Sequence, residues 1–165
     1  MQKKLQKLLE QAYELCEDGN YVRALEYYDI ALDIEPDNLN VMVDKGVTLQ
    51  NLGRFNEALQ MYEKALSIEA ENLDALINKG SVLHILKKYS EAISCYDAVL
   101  DHDKRNAMAL AYKGLTIGEM GNIPSAIKYF KKALCMEQDY DLAQISLLTA
   151  KNILKNVDFI ICENP

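Results

Sequence analysis

Ala24-Leu-Glu-Tyr-Tyr28 returns as Ala58-Leu-Gln-Met-Tyr62, Ala92-Ile-Ser-Cys-Tyr96 and Ala126-Ile-Lys-Tyr-Phe130, each copy 34 residues after the last and with no insertion. An ungapped period of this length marks a repeat architecture, in which one small supersecondary unit is stacked on the next. Four units fit, 5–38, 39–72, 73–106 and 107–140, and a partial fifth begins at Asp141. Within each unit two amphipathic helical patterns follow one another. The first ends in a short breaker, Asp18-Gly19-Asn20, Leu52-Gly53-Arg54, Lys87-Lys88 or Met120-Gly121-Asn122. Glycine suits the left-handed residue that closes a helix. The second pattern stops near Glu35-Pro36-Asp37-Asn38 and its equivalents, where proline halts one helix and Asn or Asp caps the next.

The recurring residues have packing reasons. Small residues occupy unit position 8 (Ala12, Gly46, Gly80, Gly114) and position 20 (Ala24, Ala58, Ala92, Ala126), so the two helices can approach closely. On this reading Ala58 lies close to Gly46. Aromatic residues occupy position 24 (Tyr28, Tyr62, Tyr96, Phe130) and most of position 17 (Tyr21, Phe55, Tyr89, with Ile123 last). They supply large buried areas between helices. Position 28 is leucine in all four units: Leu32, Leu66, Leu100 and Leu134.

This set of residues resembles the tetratricopeptide repeat (TPR) family over residues 5–140. The resemblance implies an all-α, right-handed α-solenoid: four helix-turn-helix units in one domain over 1–156, closed by a capping helix over 141–156. An apolar tail would follow over 157–165. The chain departs from the family pattern at position 4, where Leu8, Met42, Leu76 and Leu110 replace a tryptophan-like residue. It departs again at position 7, where Lys45, Lys79 and Lys113 stand in three units. A lysine there can lay its stem on the core and keep its charge in water.

Composition agrees. Half of the 165 residues are hydrophobic and 26% are charged, which excludes a disordered chain. Seven glycines and three prolines are too few for a turn-rich β-sandwich. A net charge of −7 disfavours a nucleic-acid backbone as partner. No apolar run approaches a membrane span, and the lysine-bearing start reads as a helix rather than a signal peptide. Cys16, Cys95, Cys135 and Cys162 show no pairing or metal-ligand spacing, so free thiols in a reducing cytoplasm are expected.

No catalytic constellation is legible, and no cofactor or metal is expected. His84 and His102 stand apart, no phosphate-binding loop is present, and no serine or cysteine sits in a nucleophile motif. Asp101-His102-Asp103 occupies the inter-unit turn, where Glu35, Asp37, Glu69 and Glu71 stand in other units. Those acids read as a solvated capping column rather than as a cation site.

The resemblance further implies that the first helix of each unit lines a concave face through positions 2, 5, 6, 9, 12 and 13. The candidate peptide-binding residues are Leu9, Glu10, Tyr13, Val43, Asp44, Val47, Ile77, Asn78, Ser81, Ala111, Tyr112 and Leu115. Positions 5 and 9 form a mostly apolar stripe expected to face solvent, as contact sites do. The full set of inward positions holds five acids and no Lys or Arg. Family members that grip acidic C-terminal peptides need a Lys, Asn and Arg clamp, and here only Asn78 matches one of its positions. Charge is lopsided as well: residues 1–82 carry 8 basic and 15 acidic side chains, residues 83–165 carry 10 of each. The expected function is a non-catalytic interaction module or scaffold for an apolar, neutral-to-basic protein segment. The alternative is a structural homo-oligomer in which groove or end surfaces pair with its own copies. Separately, the tail residues Phe159, Ile160 and Ile161 are expected to dock on apolar surface, either the capping helix of the same chain or a neighbouring chain.

Overall fold

The computed structural model describes the backbone of residues 2–163 and the side chains of residues 2–155. Nine helices and no strand occur among the described residues: α1 (Gln2–Glu17), α2 (Tyr21–Ile34), α3 (Leu39–Asn51), α4 (Phe55–Ile68), α5 (Leu73–Ile85), α6 (Tyr89–His102), α7 (Ala107–Glu119), α8 (Ile123–Met136) and α9 (Asp141–Glu163). Their order reproduces the paired pattern of the 34-residue repeat. The chain divides into two units, residues 1–82 and 83–165, with the boundary inside α5.

Helix ends follow from residue chemistry. Asn38, Asn72 and Asn106 cap α3, α5 and α7, each Oδ1 accepting from the backbone N–H three residues on, at 3.1, 2.9 and 2.9 Å. The capping amides of Asn38 and Asn72 donate in turn to Glu35 and Glu69, at 2.8 and 3.0 Å. These two turn acids therefore have a capping role. At the other end, Gly19, Gly53 and Gly121 take positive φ angles of 72°, 71° and 89°. Each closes a first helix by paired backbone bonds, as in Arg54 N–H to Leu49 O at 2.9 Å and Gly53 N–H to Gln50 O at 2.9 Å. Lys87 occupies the same left-handed position with φ 59° but has a Cβ.

In the first unit, Leu5, Ala12, Ala24, Tyr28, Ala31 and Val41 form one buried cluster. Gly46 of α3 lies under the fully buried ring of Tyr62 from α4; a Cβ there would sit 2.4 Å from Cε1. The ring at position 24 is thus the nearest group to the small residue at position 8. In the second unit Gly114 repeats the arrangement under Phe130, with a Cβ-to-Cε1 distance of 2.8 Å. Here α9 packs on α8 through Ala143 and Ala150, both buried.

The position-7 lysines are more specific than amphipathic stems. Lys45 pairs with Asp29, Lys79 with Glu63 at 3.1 Å, and Lys113 with Asp97. Each acid stands at position 25 of the preceding repeat, so the pairs fix repeat on repeat. Lys113 also lies 5.0 Å from the Tyr129 ring centroid. Burial works against its charge, but the bonds to Asp97 and Tyr129 outweigh it and hold its pKa above the usual lysine value. At the last repeat both partners change, to Lys131 and Leu147.

The capping helix was expected to end near Asn156. Instead α9 continues through Glu163. A backbone with no helix-breaking residue before Pro165 permits this. The expected docking of Phe159, Ile160 and Ile161 concerns side chains outside the described residues.

Candidate functional site

The twelve residues expected to line a binding face divide between the two units. In the first unit, α1, α3 and α5 carry Leu9, Glu10 and Tyr13, then Val43, Asp44 and Val47, then Ile77, Asn78 and Ser81. In the second, α7 carries Ala111, Tyr112 and Leu115.

The apolar stripe is not uniformly open to solvent. The position-5 residues Val43, Ile77 and Ala111 are only 9%, 7% and 0% exposed. These three side chains belong to the core; Ala111, for one, packs with Ala133 of α8 and Ala143 of α9. That corrects the expectation of an exposed stripe. What remains accessible is narrower: Tyr13 at 45% exposure, with Leu9, Val47 and Leu115 half-buried. The polar candidates Glu10, Asp44, Asn78, Ser81 and Tyr112 all stay at least partly exposed.

The first unit brings several of these groups together. The Tyr13 hydroxyl donates to Asp44 Oδ2 at 2.7 Å. The Tyr13 ring packs edge-on against Tyr28, centroids 6.4 Å apart. Burial, the bond to Asp44 and that carboxylate's charge push the Tyr13 pKa up to about 12. Burial also raises Asp44; the Tyr13 bond opposes the rise and the nearby Asp74 carboxylate adds to it. Among the described residues no Lys or Arg forms an ion pair with Asp44. Asp44 is thus a partly buried carboxylate near a second acid, bonded by the Tyr13 phenol. The Asn78 amide donates to the Asp74 backbone carbonyl one turn back on its own helix, at 2.9 Å.

A second pattern, absent from the sequence reading, links position 12 of one first helix to the next first helix. Thr48 donates its hydroxyl proton to the Asp44 carbonyl at 2.9 Å and faces the Cys16 sulfur at 3.5 Å. In the second unit Thr116 donates to the Tyr112 carbonyl at 2.9 Å, and its hydroxyl is also hydrogen-bonded to His84 Nδ1 at 2.9 Å. The His84 Nε2 lies 3.8 Å from Glu119, whose other oxygen accepts from the Tyr89 hydroxyl at 2.9 Å. These bridges satisfy both buried threonines. Their signal in the sequence is the Thr at position 10 in the second and fourth repeats.

Among the described residues no group of three His, Cys, Asp or Glu side chains could hold a metal ion. No helix among them is long and apolar enough to cross a membrane. Among the described residues Cys16, Cys95 and Cys135 take part in no disulfide.

Models of the tetratricopeptide repeat match residues 15–62, 49–113 and 86–143. The chain belongs to the tetratricopeptide repeat family, and its fold class is the all-α helical solenoid of such units. No curated protein matches the sequence. Among solved structures, Pseudomonas aeruginosa pilF superposes with a TM-score of 0.82 at 20% identity, over 96% of this chain and 72% of that one. MamA (41–end) from Desulfovibrio magneticus RS-1 gives 0.74 at 20% identity, over 98% and 97%. The first TPR of Spaghetti (RPAP3), bound to the HSP90 peptide SRMEEVD, gives 0.66 at 21% identity, over 71% and 93%. At these identities the likeness is one of fold.

Proposed function

We propose that this chain is a non-catalytic protein-interaction scaffold that holds an apolar, neutral-to-basic segment of a partner protein along its first helices. The four repeats and α9 act together as one TPR domain, in the cytoplasm, where its free thiols stay reduced. The observation that carries the reading is Asp44: raised by burial and by Asp74, bonded by Tyr13, and in no ion pair with a Lys or Arg among the described residues. A partner lysine or arginine placed there would relieve the acid pair, and Leu9, Val47 and the Tyr13 ring offer apolar contact beside it. The acidic peptide seen in the RPAP3 structure is the opposite ligand. At the inward positions here it would meet acids and no Lys or Arg.

Titration of fluorescently labelled peptides tests this. A short leucine- and lysine-rich peptide is expected to bind, to weaken with added salt, and to weaken again with Asp44→Asn. SRMEEVD is expected not to bind. Comparable affinity for the two peptides would refute the reading.

A second reading, pairing between copies, is favoured by one observation: Leu148 on α9 is 62% exposed. Sedimentation that stays monomeric over the micromolar range would remove it.

A further inference from the structure

The junction between the fourth repeat and α9 lacks the bridge that the other junctions described above possess. Cys16 meets Thr48, and His84 meets Thr116. The corresponding residues at the last junction are Gly118 and Ala150, neither of which has a polar group to contribute. In place of a bridge there is a pocket of about 500 Å³. Leu115, Gly118 and Glu119 of α7 form one wall, and Ile123, Ala126 and Phe130 of α8 form the floor. From α9, Ile145, Thr149 and Ile153 close the far side. A Cβ added to Gly118 would have one neighbour within 4 Å, the Ala126 methyl at 3.4 Å.

Size, lining and charge together describe an occupant. A dry cavity of about 150 Å³ is enough for a benzene ring, so this one accommodates a large side chain. The lining is apolar apart from two hydroxyls and one carboxylate, Glu119. Thr149 already donates its proton to the Ile145 carbonyl at 2.9 Å. Among the described residues no Lys or Arg lines the pocket, so Glu119 is the charged group of its described lining. Ile145 stands 66% exposed on the rim, an apolar surface that a partner would cover.

We propose that the pocket between α7, α8 and α9 receives one bulky apolar side chain of a partner segment, aromatic or branched aliphatic, with a lysine or arginine close by in that segment pairing with Glu119. This rests on the reading that the chain holds a partner segment, and it names where that segment is anchored and by what.

The test is selection of a phage-displayed random peptide library on the intact chain, followed by affinity measurements on the enriched peptides. Enrichment of a large apolar residue within a few positions of Lys or Arg is expected. Gly118→Gln places in the pocket the residue found at the same position of the second repeat, Gln50. It should weaken the selected peptides by about tenfold or more, as loss of a buried side-chain anchor does. Glu119→Gln keeps an acceptor for Tyr89. It should abolish the preference for a basic neighbour while retaining the apolar requirement, and it carries the test if Gly118→Gln fails to fold. Peptides that lack the apolar–basic pairing, or that bind Gly118→Gln as tightly as the parent, would overturn the proposal. If those same peptides lose affinity with Asp44→Lys, the pocket assignment fails while the general binding reading stands. A library that yields no binder overturns both. Binding that appears only after deletion of residues 157–165 would assign the pocket to the chain's own C-terminal segment and also overturn the proposal.

Discussion

Replacing Gly46 by alanine probes the close approach of α3 and α4 in the first unit. On the fixed backbone the new methyl would lie 2.4, 2.8 and 3.0 Å from Cε1, Cζ and Cδ1 of Tyr62. Such distances cannot persist, so the ring or the helix must move by about an ångström in a close-packed interior. The ring cannot swing into solvent, because Tyr62 is fully buried. Its hydroxyl also donates to Gln50 Oε1 at 3.4 Å. Overpacking of this kind costs roughly 1–3 kcal/mol. The gain in helix propensity from glycine to alanine offsets about 1 kcal/mol of it. A net loss of about 1 kcal/mol remains, which for a chain of this size lowers Tm by about 2–4 °C. Gly114→Ala meets Phe130 at 2.8 Å and Tyr129 Cβ at 3.1 Å, so it should cost less. Urea unfolding of both variants, with Tyr62→Leu in the Gly46→Ala background as a cycle, measures the effect. Tyr62→Leu should be less damaging in that background than alone. A Gly46→Ala protein more stable than the parent would show that only propensity acts and that the helices are not closely apposed.

The remaining predictions follow from strained or titrating groups. Lys87→Gly removes a Cβ from a left-handed residue at φ 59° and should stabilise the chain by about 1 kcal/mol; an unchanged or lower urea midpoint would contradict the strain. Burial raises Tyr13 and Tyr140 to about 12 and pushes Tyr28, Tyr62 and Tyr96 higher still. Their folded pKa values lie above the unfolded value, so the stability they contribute is complete below pH 10 and is lost as pH climbs past it. The urea midpoint should hold from neutral pH to the onset of tyrosine ionisation and then fall; a flat profile to pH 11.5 would refute this. Asp44 is also raised, so its favourable contribution belongs to low pH and the ionised form costs stability at pH 7. Asp44→Asn should therefore raise the midpoint at pH 7 while weakening basic peptides, and a clear loss of stability would show the carboxylate to be structural.

Much of this molecule was legible from period and residue type. The helix pairs, the asparagine caps and the glycine stops follow from local chemistry that does not depend on neighbours. The lysine–acid pairs were also readable, since Asp29, Glu63 and Asp97 each precede Lys45, Lys79 and Lys113 at constant spacing. The stripe at Val43, Ile77 and Ala111 was misjudged because a position can face inward on its own helix and still be covered by the helix beside it. Gly46 reads as a close-approach residue from its size, but size alone does not say that the Tyr62 ring is its nearest neighbour. The pocket against α9 was invisible for another reason. It arises from side chains that Gly118 and Ala150 lack, and from the placement of a helix without a repeat partner to align it with.

The central claim is that the inward acids of the first unit receive a basic, apolar segment. Backbone amide NMR during titration with the leucine- and lysine-rich peptide reads this residue by residue. The account predicts saturable shifts at Leu9, Tyr13, Asp44, Val47 and Ser81, lost in Asp44→Lys, with the exposed residues Glu26 and Lys64 on α2 and α4 unmoved. Shifts confined to α2 and α4, or unchanged by Asp44→Lys, would contradict it.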